Sequence, residues 1–256
     1  MKRVFIMLAA AALFLSVGCN NTPKTGSVET DKAAFAAELS ALDENMDEDA
    51  YDQMAAKIAE KYYMLHKDDS LGLDMFIRMA RAYDFQTIKP LYDEASDMIR
   101  NHVRVRNYVI TAEHMDDTAD GKPYVDIKAP NALTGEVMGI SDILALGKPL
   151  VIDFWASWCP PCRAEISGPL GEFARANADK CSVIGVAVWE NKLDDTLKAM
   201  EELGITWPVI YTGGRENTPT NLYGVKTIPT MVVVAPDGTI LGRSHRIDDL
   251  KDLILN

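Results

Sequence analysis

Cysteine is scarce in this chain: 4 of its 256 residues, at positions Cys19, Cys159, Cys162 and Cys181. So few thiols, so unevenly spread, exclude a disulfide-stapled miniprotein, and a zinc ribbon would need a second close cysteine pair or paired histidines. The 4 histidines (His66, His102, His114, His245) include no pair at i, i+3 or i, i+4. Haem attachment requires a histidine directly after the second cysteine of a CxxC, and Arg163 stands there. Basic residues are also in deficit, 26 Lys and Arg against 38 Asp and Glu, for a formal charge of −12. An acidic surface with no basic stripe argues against nucleic acid as a partner. Long apolar runs are missing after the first stretch, so no later segment reads as a membrane span.

That first stretch is a targeting signal. Lys2 and Arg3 precede the apolar run Val4 to Val17, which is too short to cross a bilayer comfortably, and residues 1–18 read as a secretion signal. Gly18-Cys19 places a small residue before a cysteine, as in bacterial lipoprotein cleavage sites, although Ser16 replaces the usual leucine. On this reading Cys19 carries a lipid anchor and takes no part in redox chemistry; soluble secretion is the alternative. Residues 19–30 are polar and turn-rich, suited to a flexible tether. The expected location is the bacterial cell envelope, facing the periplasm, where conditions are oxidising and few free thiols survive.

Two halves follow. Residues 31–117 read as a helical domain: Phe35, Leu39 and Leu42 recur at helical steps, as do Tyr51, Met54, Ile58, Tyr62 and Leu65. Asp68-Asp69-Ser70 predicts a break and cap, Asp84 to Glu113 one or two further helices, and Pro90 a helix start. The acidic run Asp43 to Asp52 reads as a solvated connector and helix start. Residues 120–256 alternate short β-type runs with helices. Strands are expected at Tyr124–Ile127, Gly135–Met138, Leu150–Trp155, Val183–Val188, Pro208–Tyr211, Met231–Val234 and Thr239–Arg243. Helices are expected from Ala164 to Ala178, Leu193 to Leu203, Pro219 to Tyr223, and from Asp248. The fold class is α/β, a central mixed sheet flanked by helices, with an all-helical region before it.

Chemistry concentrates at Trp158-Cys159-Pro160-Pro161-Cys162, directly after the buried strand. Two thiols at this spacing can close and reopen a small disulfide, and the first sits at a helix start, where free N–H groups favour a thiolate. A static structural disulfide is the competing reading.

The chain here resembles thioredoxin-fold proteins, more specifically the envelope-anchored TlpA/ResA-like thiol–disulfide oxidoreductases. The resemblance is carried by Gly147-Lys148-Pro149 and the unbroken run from Val151 through Glu165. Trp207-Pro208-Val209, Tyr223-Gly224-Val225, Thr227-Ile228-Pro229-Thr230 and Asp237-Gly238 extend it. It implies that Cys159 attacks and Cys162 resolves, the two forming the redox-active disulfide. It also implies that Pro229 is a cis-proline beside them and that Ile228 offers backbone groups to a bound polypeptide. Asp153 matches the buried acid of thioredoxin; its pKa is expected to be raised, so that it exchanges a proton with Cys162. Trp158, and less strongly Trp155, wall the site. Relatives carry a helix-kinking proline where Ser167 stands, so the bend is expected to shift to Gly168-Pro169. The resemblance implies no cofactor and no metal. Its partners are protein disulfide or dithiol clients and a membrane electron donor, with reduction favoured over oxidation. Two other classes stay open: a peroxiredoxin-like thiol peroxidase, and a binding module or redox sensor with a structural CxxC. Cys181 reads as a small buried residue, and Thr212-Gly213-Gly214-Arg215 lacks the lysine of a phosphate loop.

Overall fold

The protein, seen in a computed structural model, is described over residues 26–214 and 220–255. The signal 1–18, Cys19 and most of the tether lie outside the described residues. The helical half comprises α1 (Val28–Ser40), α2 (Glu48–Tyr63), α3 (Ser70–Ala82), α4 (Phe85–Glu94), α5 (Asp97–Arg100) and α6 (Val103–Asp117). Short polar side chains start four of these. Ser27, Asp47, Asp69 and Asp84 each accept a backbone N–H of the first turn, which satisfies an amide the helix leaves orphaned. Asp69 is thus the expected cap, and the acidic run around Asp47 is the expected connector and helix start.

Two expectations need correction. Pro90 lies inside α4 rather than at its start, because the Asp84 cap begins the helix earlier; Pro90 forfeits one internal amide bond. The stretch from Asp84 to Glu113 holds three helices, since the extended backbone at Ala95-Ser96 and at His102 interrupts it twice. The core of this half joins Ala56, Ala59 and Tyr63 of α2 to Met75, Phe76 and Met79 of α3, with Tyr63 and Phe76 packed edge to face.

The second half opens with the antiparallel ribbon β1 (Lys128–Pro130) and β2 (Val137–Gly139), then α7 (Ile140–Leu144). The strand expected at Tyr124–Ile127 does not form. There the Tyr124 N–H donates to Gly238 O and the Tyr223 hydroxyl donates to Val125 O, so a turn and a side chain take the place of a ladder. Next come β3 (Leu150–Trp155), α8 (Pro160–Ser167), α9 (Pro169–Ala176), β4 (Ser182–Ala187), α10 (Leu193–Leu203), β5 (Val209–Tyr211), β6 (Thr230–Val234), β7 (Ile240–Ser244) and α11 (Lys251–Leu255). The helix expected over Ala164–Ala178 is broken at Gly168, where φ is −113° and ψ is −108°. Pro169 cannot continue the amide ladder, so the bend falls at the shifted position.

The sheet runs β5-β4-β3-β6-β7, with β3 parallel to β4 and antiparallel to β6. All six residues of β3 are buried, the mark of a strand covered on both faces. Leu150, Ile152 and Phe154 join one core with α7 and Tyr223. Val151 and Trp155 join the other, with Cys159, Cys162, Ile166 and Phe173. Among the described residues no helix is long and apolar enough to cross a membrane.

Candidate functional site

Strand β3 ends at Trp155 and the chain turns through Ala156, Ser157 and Trp158 to Cys159, the N-cap of α8. Pro160 and Pro161 occupy the first two helical positions and have no N–H to offer. The first free amide of the helix is therefore that of Cys162, and it points at Cys159 Sγ over 3.2 Å. Cys159 and Cys162 are joined by a disulfide, Cα to Cα 5.3 Å. Both cysteines are buried, Cys159 being the more exposed of the pair at 3% against 0% for Cys162. Its neighbour Trp158 takes the solvent-facing position, 46% exposed, with its indole N–H donated to Trp189 O at 2.9 Å. Trp155 is fully buried core.

The loop before β6 closes over the sulfurs. The Ile228–Pro229 peptide bond is cis, and Ile228 O lies 3.7 Å from Cys159 Sγ. Thr230 Oγ1 donates to Thr227 O at 2.7 Å, which pins the turn. The structure thus brings Cys159, Cys162, Trp158, Ile228 and Pro229 together; Cys19 lies outside the described residues.

Asp153 is the buried acid beneath. Side chains alternate along β3, so Asp153 shares the face of Val151 and Trp155, the face that packs on Cys162 and Ile166. Burial, and secondarily the negative charge of Glu165, push its carboxyl up to about 8. Its Oδ2 has no hydrogen-bond partner among the described residues. A carboxyl held in this range can take or give a proton near neutral pH. Glu165 itself accepts the Ile247 N–H at 2.8 Å.

Sequence reasoning missed Glu190. It is 3% exposed and accepts both the backbone N–H of Ser157 (2.6 Å) and the Ser157 hydroxyl (2.7 Å). Burial raises its carboxyl, against the lowering pull of those two bonds. The available signal was positional: β3 and β4 are neighbouring parallel strands, so the loops after Trp155 and Ala187 must lie side by side. Arg163 adds a further tie, donating to Ser157 O (3.3 Å) and to Glu202 (2.7 Å). Cys181 is buried and unbonded, its thiol pushed up by burial.

Strand order, the central β3 and the cysteine-bearing helix that follows it decide the architecture of residues 120–256, and residues 121–243 match the model of the AhpC/TSA family. This half of the chain is thioredoxin-like. Over 68 residues it is 41% identical to a thioredoxin of Alicyclobacillus acidocaldarius, covering 27% of this chain and 62% of that protein. Over 117 residues it is 26% identical to the thiol-disulfide oxidoreductase ResA of Bacillus subtilis, covering 44% of this chain and 63% of that one. Among solved structures, the thioredoxin domain of a thiol-disulfide oxidoreductase from Bacteroides vulgatus is similar, at 26% identity and a TM-score of 0.47. That likeness covers 53% of this chain and 95% of that domain. The chain spans a little under two thirds of the length of the two curated relatives. The thioredoxin-like half matches them; the helical half lies outside the family match.

Proposed function

We propose that the protein is a thiol–disulfide oxidoreductase that reduces protein disulfides in the bacterial cell envelope. One observation carries the reading: the Cys162 amide aimed at Cys159 Sγ, with the Ile228 carbonyl beside it. The amide favours negative charge on Cys159, and the Ile228 backbone is placed to pair with an extended client.

In the reducing direction the Cys159 thiolate attacks one client sulfur. A Cys159–client bond forms, the client disulfide breaks, and its second sulfur leaves as a thiolate that takes up a proton. The ionised form of Asp153 then takes the proton of Cys162, and Cys162 attacks Cys159 Sγ. The mixed disulfide breaks, the client's first sulfur leaves and is protonated, and Cys159–Cys162 is left oxidised. Two electrons have passed to the client. A dithiol of a membrane electron donor resets the pair by the same exchange. Residues 31–117 act in this reading as a helical domain and 120–256 as the redox domain, held at the membrane through the tether 19–30 and a lipid on Cys19 after removal of 1–18.

Insulin reduction with dithiothreitol as donor tests the reading. Turnover should be lost in Cys159→Ser and kept in Cys181→Ser; equal turnover in Cys159→Ser contradicts it. In Cys162→Ala the mixed disulfide should accumulate on Cys159 and identify clients. A static brace is the second reading, favoured by the burial of both cysteines, and it predicts no turnover at any donor potential. Peroxide consumption at a competitive rate would instead point to a peroxidase.

A further inference from the structure

Thr227, Ile228 and Pro229 border the disulfide, but the residues just before them are tied to the helical half. Asn221 O is bonded by His114 Nδ1 of α6. Gly224 is left-handed, φ +57°, and so close to α6 that a Cβ there would lie 2.2 Å from Met115 Cγ and 2.5 Å from Thr111 O. Lys226 Nζ donates to Arg81 O, at the end of α3, over 2.9 Å.

Arg243 of β7 is the hub of this junction. Its Nη1 donates to Tyr223 O at 2.6 Å, and its Nη2 to Thr118 Oγ1 at 3.0 Å and Thr118 O at 3.2 Å. Thr118 is fully buried at the C-cap of α6. One planar, half-buried guanidinium therefore joins the end of α6 to the start of the client-facing loop and to the sheet, where Arg243 pairs with Val232 of β6.

We propose that Arg243 is a positioning residue, through which the helical half fixes the Ile228–Pro229 edge over Cys159 and so sets how tightly polypeptide disulfides are held. The proposal rests on the oxidoreductase reading. A polypeptide must pair with the Ile228 edge, where hydrogen bonds tolerate little displacement; a small disulfide needs only the Cys159 sulfur. Loosening the edge therefore separates the two substrate classes.

The test uses the full chain, with insulin and 5,5′-dithiobis(2-nitrobenzoate) as substrates. In Arg243→Met the KM for insulin should rise roughly tenfold, about one lost hydrogen bond to the client, with its kcat and the small-disulfide rate within about twofold of wild type. Arg243→Lys, which keeps the charge without the fork, should fall between. An unchanged insulin KM overturns the proposal, as does a proportional loss on both substrates. Should Arg243→Met fail to fold, Thr118→Val alters the link from the helical side, and the same split decides. If wild type turns over neither substrate, the oxidoreductase reading has failed and this one with it. If wild type turns over both and Arg243→Met matches it, only the positioning role is lost.

Discussion

The amide of Cys162 lies 3.2 Å from Cys159 Sγ, and it is the first amide α8 has to give, because Pro160 and Pro161 precede it. In the reduced protein that amide faces whatever charge Cys159 carries. Cys162 is fully buried, and the Cys181 thiol is pushed up by its buried surroundings while no such amide faces it among the described residues. At pH 7, brief iodoacetamide treatment of the reduced protein should therefore label Cys159 more than roughly tenfold faster than either other thiol. Peptide mapping by mass spectrometry checks this; comparable labelling of Cys162 would remove the assigned order of attack.

Asp153 makes stability depend on pH. Its folded carboxyl holds a proton up to about 8, whereas in the unfolded chain it ionises near 4. The stability this group contributes is fully present below about pH 4 and is lost as pH rises through the folded value, at about 1.4 kcal/mol per pH unit at most. Asp153→Asn should thus melt increasingly above wild type as pH rises from about 4 to about 8, while resolving mixed disulfides more slowly. Parallel melting curves across that window would show that Asp153 is ionised alike in both states.

Much of this was legible in sequence because the signal was local. Leu150–Trp155 and Leu193–Leu203 form as read, one an apolar run interrupted by Asp153 alone, the other ending at Gly204 in a left-handed cap. Elsewhere nonlocal contacts decided. Tyr124–Ile127 has strand composition, but its backbone partners are Gly238 and Tyr223, far along the chain. Pro90 is a different case: its missing N–H is cheapest near a helix start, yet a second local signal, the Asp84 cap, begins the helix earlier. The cysteines and Pro229 sit in motifs, while Glu190 and Arg243 meet their partners only once parallel pairing and the α6 junction have placed them.

Glu190 holds the turn that leads into Cys159. Its replacement by alanine leaves two donors of Ser157 without their acceptor. The expected cost is about 1–3 kcal/mol for each donor left buried and unpaired, less where water reaches the half-buried Ser157. Urea unfolding checks the stability, and disulfide exchange should slow as the Ser157-Trp158 turn loosens. Full retention of both would leave Glu190 without a structural role at the site.

His66 fastens the helical half. It is 5% exposed, bonded through Nε2 to Asp31 (2.9 Å) and through Nδ1 to Asp69 (2.6 Å). Burial pulls its pKa down, but the two carboxylates prevail and raise it. A histidine raised in the folded state contributes stability fully below its unfolded value of about 6.5, and that contribution fades as pH climbs through the folded value. In an Asp153→Asn background, which removes the Asp153 contribution, melting temperature should still fall above about pH 6.5. Adding His66→Gln should flatten that fall, and an unaltered slope would contradict the assignment.

The central claim is that Cys159 and Cys162 cycle between dithiol and disulfide. Equilibration of the native chain across glutathione and dithiothreitol buffers, followed by alkylation and intact-mass measurement, tests it most directly. The account predicts one reversible two-electron transition, between about −270 and −120 mV, in which Cys159 and Cys162 gain and lose label together and Cys181 does not change. A pair that stays bonded in excess reductant while the protein remains folded, or that never closes in oxidant, would contradict it.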